Sequence, residues 1–186
     1  TGLNAIHQGI ESEIKYNPTR KIKLYAMFSI GDWRWDDNPV TGTTYNEDQI
    51  AIDTATVYTG GIHVGDAAQT TAAAGFDIEV LPEFYIGMDY NYFDRLYAYF
   101  DIDSRVRETD IGVDAWQMPS YHIADLNLKY KFKLGKLNAS IYGKVNNILN
   151  TEYIADATDG VNHDYETSPV YYGFGRTWSL ALKIRF

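Results

Sequence analysis

Thr177-Trp178-Ser179-Leu180-Ala181-Leu182-Lys183-Ile184-Arg185-Phe186, the last ten residues, alternate without a break. Trp178, Leu180, Leu182, Ile184 and Phe186 are large and apolar, while Thr177, Ser179, Ala181, Lys183 and Arg185 are small or charged. Side chains of an extended chain point to opposite faces in turn, so this is a strand with one oily and one polar face. Its length matches the roughly 9–11 residues a tilted strand needs to cross a bilayer. The same pattern also suits an amphipathic strand of a soluble sandwich, so other segments must decide.

Six earlier segments read alike. The first, Ile6 to Tyr16, sets Ile6, Ile10, Ile14 and Tyr16 against His7, Glu11, Glu13 and Lys15. Ile22–Ile30 sets Leu24, Ala26 and Phe28 against Lys23, Tyr25 and Ser29, and Thr70–Leu81 sets Ala74, Phe76 and Ile78 against Asp77 and Glu79. Phe84 to Tyr92 sets Ile86, Met88 and Tyr90 against Gly87, Asp89 and Asn91. The cleanest runs from Ala124 to Leu134, with Leu126, Leu128, Tyr130 and Phe132 opposite Asn127, Lys129, Lys131 and Lys133. Leu137–Asn147 pairs Ile141 and Val145 with Ser140 and Lys144. No segment sustains a helical period.

The connections alternate too. Asn17-Pro18-Thr19-Arg20, Pro82-Glu83 and Gly135-Lys136 read as tight turns, whereas 31–69, 93–121 and 150–176 are long. Short and long connections in strict turn are the habit of an outer-membrane barrel, with its turns on one side and its loops on the other. If the long loops are external, the last strand runs inward and the carboxy-terminus lies in the periplasm. The polar face gathers Asp77, Glu79, Asp89, Lys129, Lys144 and Lys183. A Lys or Arg at a lipid midplane costs about 2–4 kcal/mol, and Asp or Glu less, so that face must meet water or protein.

Composition fits this reading. The 186 residues carry a net charge of -9 and no cysteine, which excludes disulfides and thiolate metal sites. The acidic balance argues against a nucleic-acid partner. No apolar run is long enough for a membrane helix, but a barrel needs none, since only alternate residues face lipid. Sixteen Tyr, eight Phe and four Trp suit the aromatic girdles of a barrel. An open set of seven strands would leave two unpaired edges in hydrocarbon, at several kcal/mol per backbone group. The expectation is an all-β, antiparallel transmembrane β-barrel of which 1–186 is only a part. The start at Thr1 and the odd strand count agree with a cut through the carboxy-terminal third of such a barrel.

Several stretches carry a family likeness: Gly31-Asp32-Trp33-Arg34-Trp35, His63 through Thr70, Tyr90-Asn91-Tyr92-Phe93, Trp116 through Tyr121, Val145-Asn146-Asn147-Ile148-Leu149-Asn150-Thr151-Glu152-Tyr153, and Gly173-Phe174-Gly175-Arg176-Thr177-Trp178. Together they resemble the barrel of TonB-dependent outer-membrane receptors, most of all those of Bacteroidetes-type bacteria. The resemblance implies roughly the last seven strands of a 22-stranded barrel. It also implies a plug domain and earlier strands outside this chain, outer-membrane lipid around it, and coupling to the TonB–ExbB–ExbD system. The function implied is active import of a scarce ligand of the siderophore, cobalamin, haem or glycan class. Several members pair with a surface lipoprotein; the ending here is poorer in Pro and Thr than theirs. Phe186 stands where outer-membrane barrels commonly end in an aromatic assembly signal. The rival readings are a passive porin-like barrel and a secreted carbohydrate-binding β-sandwich.

No catalytic motif is present: there is no G-x-S-x-G, phosphate loop or H-E-x-x-H, so no enzyme activity and no cofactor is expected. His7, His63, His122 and His163 lie far apart, and no metal site is expected. The loop carboxylates Asp36-Asp37, Asp101 with Asp103, and Asp156 with Asp159 lack calcium-loop spacing and read as solvated charge. Ligand contact is expected instead from aromatics at the strand tops: Trp33, Trp35, Tyr97, Tyr99, Trp116, Tyr153, Tyr171 and Tyr172. Asp77, Glu79, Asp89, Lys129, Lys144 and Lys183 are expected to face the plug.

Overall fold

The computed structural model describes residues 3–36 and 39–185. Phe186 and Asp37, both singled out above, lie outside the described residues. Seven long strands form one sheet: β1 (Ala5–Thr19), β2 (Ile22–Trp35), β5 (Thr70–Leu81), β6 (Phe84–Asp94), β10 (Tyr121–Leu134), β11 (Leu137–Asn146) and β14 (Thr177–Arg185). They lie in sequence order and every neighbouring pair is antiparallel, so the sheet is an unbroken meander. The alternating patterns located all seven. Most run further than the patterns suggested, because β2, β6 and β10 continue past their apolar stretches into what reads as loop.

The three long connections form a folded cap at one end of the sheet. It contains the hairpin β3 (Val40–Tyr45) and β4 (Ala51–Val57), and the short pair β7 (Leu96–Tyr97) and β9 (Gln117–Met118). It also holds β8 (Tyr99–Phe100), β12 (Ile154–Asp159) and β13 (Val170–Tyr172), joined in one small sheet. Two 3-10 turns, Ile102–Arg105 and Glu108–Asp110, are the helical pieces among the described residues.

The core lies in this cap. Leu96, Ala98, Met118, Ile154 and Ala157 form one buried cluster, and Val57, Ile62 and Phe100 form another. The oily face of the large sheet is bare by contrast: Ile10, Trp178 and Leu180 are 70%, 78% and 71% exposed. Among the described residues, no element forms a second layer over that face. A soluble sandwich would bury it, since apolar area removed from water is the main favourable term in folding. Within the described residues, then, the sheet is not one layer of a sandwich. The sheet does not close on itself either; β1 and β14 are open edges.

Register explains why the faces hold across all seven strands. Tyr16, Leu24, Phe76, Met88, Leu126, Val145 and Trp178 are successive partners, so one apolar row crosses the whole sheet. That row is oblique. Leu24 stands two residues from its hairpin end at Ile22, Met88 four from Phe84, and Val145 eight from Leu137. The climb is about one and a half residues per strand; at about 3.3 Å rise and 4.8 Å spacing this means a tilt of about 45° if the turns are level, close to the range of closed barrels. The apolar face is also banded. Phe84, Tyr130 and Phe132 meet near the turns, and Tyr90 stacks on His122 near the cap. Between these ends lie aliphatic residues such as Ile86, Leu128 and Ile141.

On the opposite face, glycine makes room for a long reach. Tyr25 lies across Gly75 of β5 and donates its hydroxyl hydrogen to Asp89 Oδ1 on β6 at 2.7 Å. A Cβ on Gly75 would collide with the Tyr25 ring.

Candidate functional site

The polar face of the sheet and the cap above it hold the chemistry. All six charges expected on one face do share it. Asp89 is held from both sides, by Tyr25 and by Asn127 Nδ2 at 2.8 Å. Lys144 Nζ lies 3.6 Å from Asp125, and Glu79 accepts the Glu83 backbone N–H at 3.0 Å. Lys129 has two ring neighbours, its Nζ 5.5 Å from the centroids of both Tyr85 and Tyr142. Asp77 pairs in register with Lys23, and Lys183 with Ser140. Hollows open along this face; one, of about 580 Å³, is lined by Glu83, Lys129, Lys131, Lys133, Tyr142 and Arg185 among others.

The eight strand-top aromatics divide into two groups. Tyr97 is buried and stacks flat on His63, with ring centroids 4.0 Å apart. Trp35 packs edge-on against Phe100 at 5.7 Å, and Trp116 leans on Tyr165 at 5.6 Å. Tyr153 stacks on Tyr121 at 4.4 Å, which in turn stacks on Phe93 at 4.9 Å. Trp33 stacks on His7 at 5.3 Å. Tyr99, Tyr171 and Tyr172 are exposed. Tyr99 is also stacked, on Phe100 at 5.5 Å, so six of the eight are engaged in packing, and Tyr171 and Tyr172 offer free ring area.

Two of the sequence stretches that carry the resemblance fold onto one another. Asn147 is buried; its side-chain amide donates to the carbonyls of Thr151 (2.9 Å) and Phe174 (3.3 Å) and accepts from the Thr151 N–H (2.9 Å). Asn150 Oδ1 accepts the Arg176 N–H at 3.0 Å, and Gly173 N–H donates to the Tyr153 carbonyl at 2.9 Å. The Tyr153 ring occupies the place a Gly173 Cβ would fill. Gln69 plays a similar part at the top of β2. Its amide accepts the Trp33 N–H at 2.9 Å and donates to the Trp33 and Val64 carbonyls.

The cap also contains charge clusters that the sequence did not reveal. His63 Nδ1–H donates to Asp114 Oδ2 at 2.5 Å. Its Nε2 lies 2.9 Å from Arg34 Nη2 and 3.4 Å from Asp32 Oδ1. Arg34 donates to Asp32 and to the Gly61 carbonyl, both at 2.8 Å. A second cluster joins two loops. Arg105, fully buried, pairs with the fully buried Asp159 at 2.8 Å. Asp159 also meets His163 Nδ1 at 2.7 Å, and His163 Nε2 lies 3.5 Å from Asp110. Burial opposes ionisation of Asp110, but hydrogen bonds from the Arg107 side chain and backbone outweigh it and hold the carboxyl below the usual range. Asp159, expected as solvated loop charge, is the anchor of this cluster. Partners 54 residues apart in sequence gave no local signal.

No protein-family model matches the chain, and no curated protein matches it. Among solved structures the chain is similar to the crystal structure of the siderophore receptor PiuA from Acinetobacter baumannii, with a TM-score of 0.62 and 20% sequence identity. The likeness covers 96% of this chain and 21% of that one, so the chain spans about a fifth of the receptor's length. At that identity it is the fold that is shared: an all-β antiparallel sheet that matches part of a receptor.

Proposed function

We propose that this chain is the carboxy-terminal part of the barrel of a TonB-dependent outer-membrane receptor, which imports a scarce ligand with energy passed on by TonB, ExbB and ExbD. The observation that carries the reading is the bare apolar face, continuous over seven strands and banded by aromatics at both ends. Hydrocarbon is the covering that makes such a face favourable. The polar face then lines the lumen and meets the plug, and the folded cap stands outside the cell. The carboxy-terminus of β14 lies with the turns, on the periplasmic side. Tyr171 and Tyr172 are the strand-top aromatics free to stack on a ligand. The siderophore class is supported by the likeness to the siderophore receptor PiuA, the Bacteroidetes type by the sequence resemblance alone.

The test uses the complete polypeptide expressed in a Gram-negative host. It should fractionate with the outer membrane and show heat-modifiable mobility, and ligand uptake should vanish when TonB is deleted. Uptake that persists without TonB would indicate a passive porin. A protein that stays soluble and monomeric without detergent would end the membrane reading altogether.

A further inference from the structure

The positive charge of this chain is placed unevenly. The net charge is -9, yet seven of the 16 Lys and Arg share the turn-side part of the polar face: Lys15, Lys23, Lys129, Lys131, Lys133, Lys183 and Arg185. They stand on adjacent rungs. Lys131 is opposite Ser140 and Ser140 opposite Lys183, while Lys133 is opposite Asn138 and Asn138 opposite Arg185. Their carboxylate partners are few. Lys131 pairs with Glu83 at 3.1 Å and Lys15 with Glu13 at 2.7 Å. Among the described residues, no carboxylate lies within ion-pair distance of Lys129, Lys133, Lys183 or Arg185.

We propose that this ledge is a binding site for a small polyanion, a solute carrying two or more phosphate or carboxylate groups. The inference rests on the reading that the polar face lines a lumen, and it adds the charge class of what binds there. Three features favour it. The hollow over the ledge, about 580 Å³, falls in the size range of small-molecule sites. Its lining supplies four cations (Lys129, Lys131, Lys133 and Arg185) against one carboxylate, Glu83, together with the neutral hydrogen-bonding groups of Asn138, Ser140 and Tyr142. Lys129, set between Tyr85 and Tyr142, is steadied by ring faces rather than neutralised, so its charge stays available.

The test uses the complete polypeptide, folded in detergent and checked for heat-modifiable mobility, with inorganic pyrophosphate as the probe in calorimetry. Pyrophosphate should bind, and more weakly at high salt. The double variant Lys129→Gln/Arg185→Gln should lower affinity by about tenfold or more, since charge-assisted hydrogen bonds are the strong ones. Arg176→Gln, away from the ledge, should bind as the parent does. A folded barrel that does not bind pyrophosphate, as when an acidic segment of the polypeptide already fills the ledge, overturns the proposal. So does equal binding by the double variant. A protein that never forms a heat-modifiable barrel instead refutes the membrane reading, and the ledge proposal falls with it.

Discussion

Leu182→Arg separates hydrocarbon from water as the medium around the apolar face. Leu182 pairs with Ile141, four residues from the hairpin end at Leu137. With a tilt of about 45°, each residue climbs about 2.3 Å, so Leu182 sits about 9 Å above the turns. If the turns mark the inner edge of an apolar band about 25 Å tall, it lies within a few Å of the midplane. An arginine there should cost about 2–4 kcal/mol, roughly a 30- to 1000-fold shift in the folding equilibrium. In water the outcome differs. Leu182 is already 61% exposed, and surface substitutions usually fall within about 0.5 kcal/mol. The assay is urea titration of the complete polypeptide in phospholipid vesicles, alongside the fraction assembled in outer membranes. Lys183→Ala, one residue along on the polar face, is the control and should be nearly silent. Equal tolerance of the two substitutions would refute a lipid-facing assignment.

Three further outcomes follow from the cap and its junction with the sheet. Gly173→Ala should drive the Tyr153 ring off its place, cost about 1–3 kcal/mol and loosen the loop, seen as faster hydrogen exchange around 147–153 with the strands unchanged. Arg105→Met should leave Asp159 buried without its partner at a cost of about 3–5 kcal/mol to the cap, while Arg105→Met/Asp159→Leu should recover much of it; protease cutting within 100–115 and 156–168 reads both. Because the Asp110 carboxyl is depressed by Arg107, its contribution is present in full above the ordinary carboxylate value and is lost as pH falls through the lower folded value. Loop protection factors, with the intrinsic pH dependence of amide exchange divided out, should therefore stay flat from neutral pH to about pH 4 and fall only below it; a fall that begins near neutrality would refute this role for Asp110.

The strands were legible because a two-sided sheet writes its environment into every second residue. The segment 70–81 reads as a strand with the bounds that the fold gives it, since Leu81-Pro82-Glu83 closes it sharply. At the cap end the pattern fades, because β2 passes from the apolar band into a zone where Asp32 and Arg34 are well placed on the same face as Ile30. Alternation of polarity therefore lost β2 five residues before it ends at Trp35. The cap was illegible for another reason. His63 and Asp114 are 51 residues apart, and Arg105 and Asp159 are 54 apart, so their pairing exists only once two loops have met. Reading single residues, one assigns Asp159 to solvent; the fold buries it because Arg105 is delivered to the same spot. Asn147, Asn150 and Gly173 were visible as a pattern, but their work of tying one loop to the entry of β14 needed coordinates.

The distribution of burial is the inverse of a water-soluble β protein, and that inversion has a physical cause. In water, the sheet supplies the core and loops skirt it, because loop backbone is hard to satisfy when buried. Here the loops bury Ile62, Met118 and the Arg105–Asp159 pair, while the sheet keeps Leu180 and Trp178 bare. A cap standing in water must find its stability in its own side chains. A wall standing in hydrocarbon gains nothing by hiding leucine from lipid and instead has to satisfy its backbone. Six of the strand-to-strand ladders here do so. The two remaining edges, β1 over fifteen residues and β14 over nine, do not. Each unpaired group in hydrocarbon costs several kcal/mol, so on the proposed membrane reading further strands would have to pair with both edges.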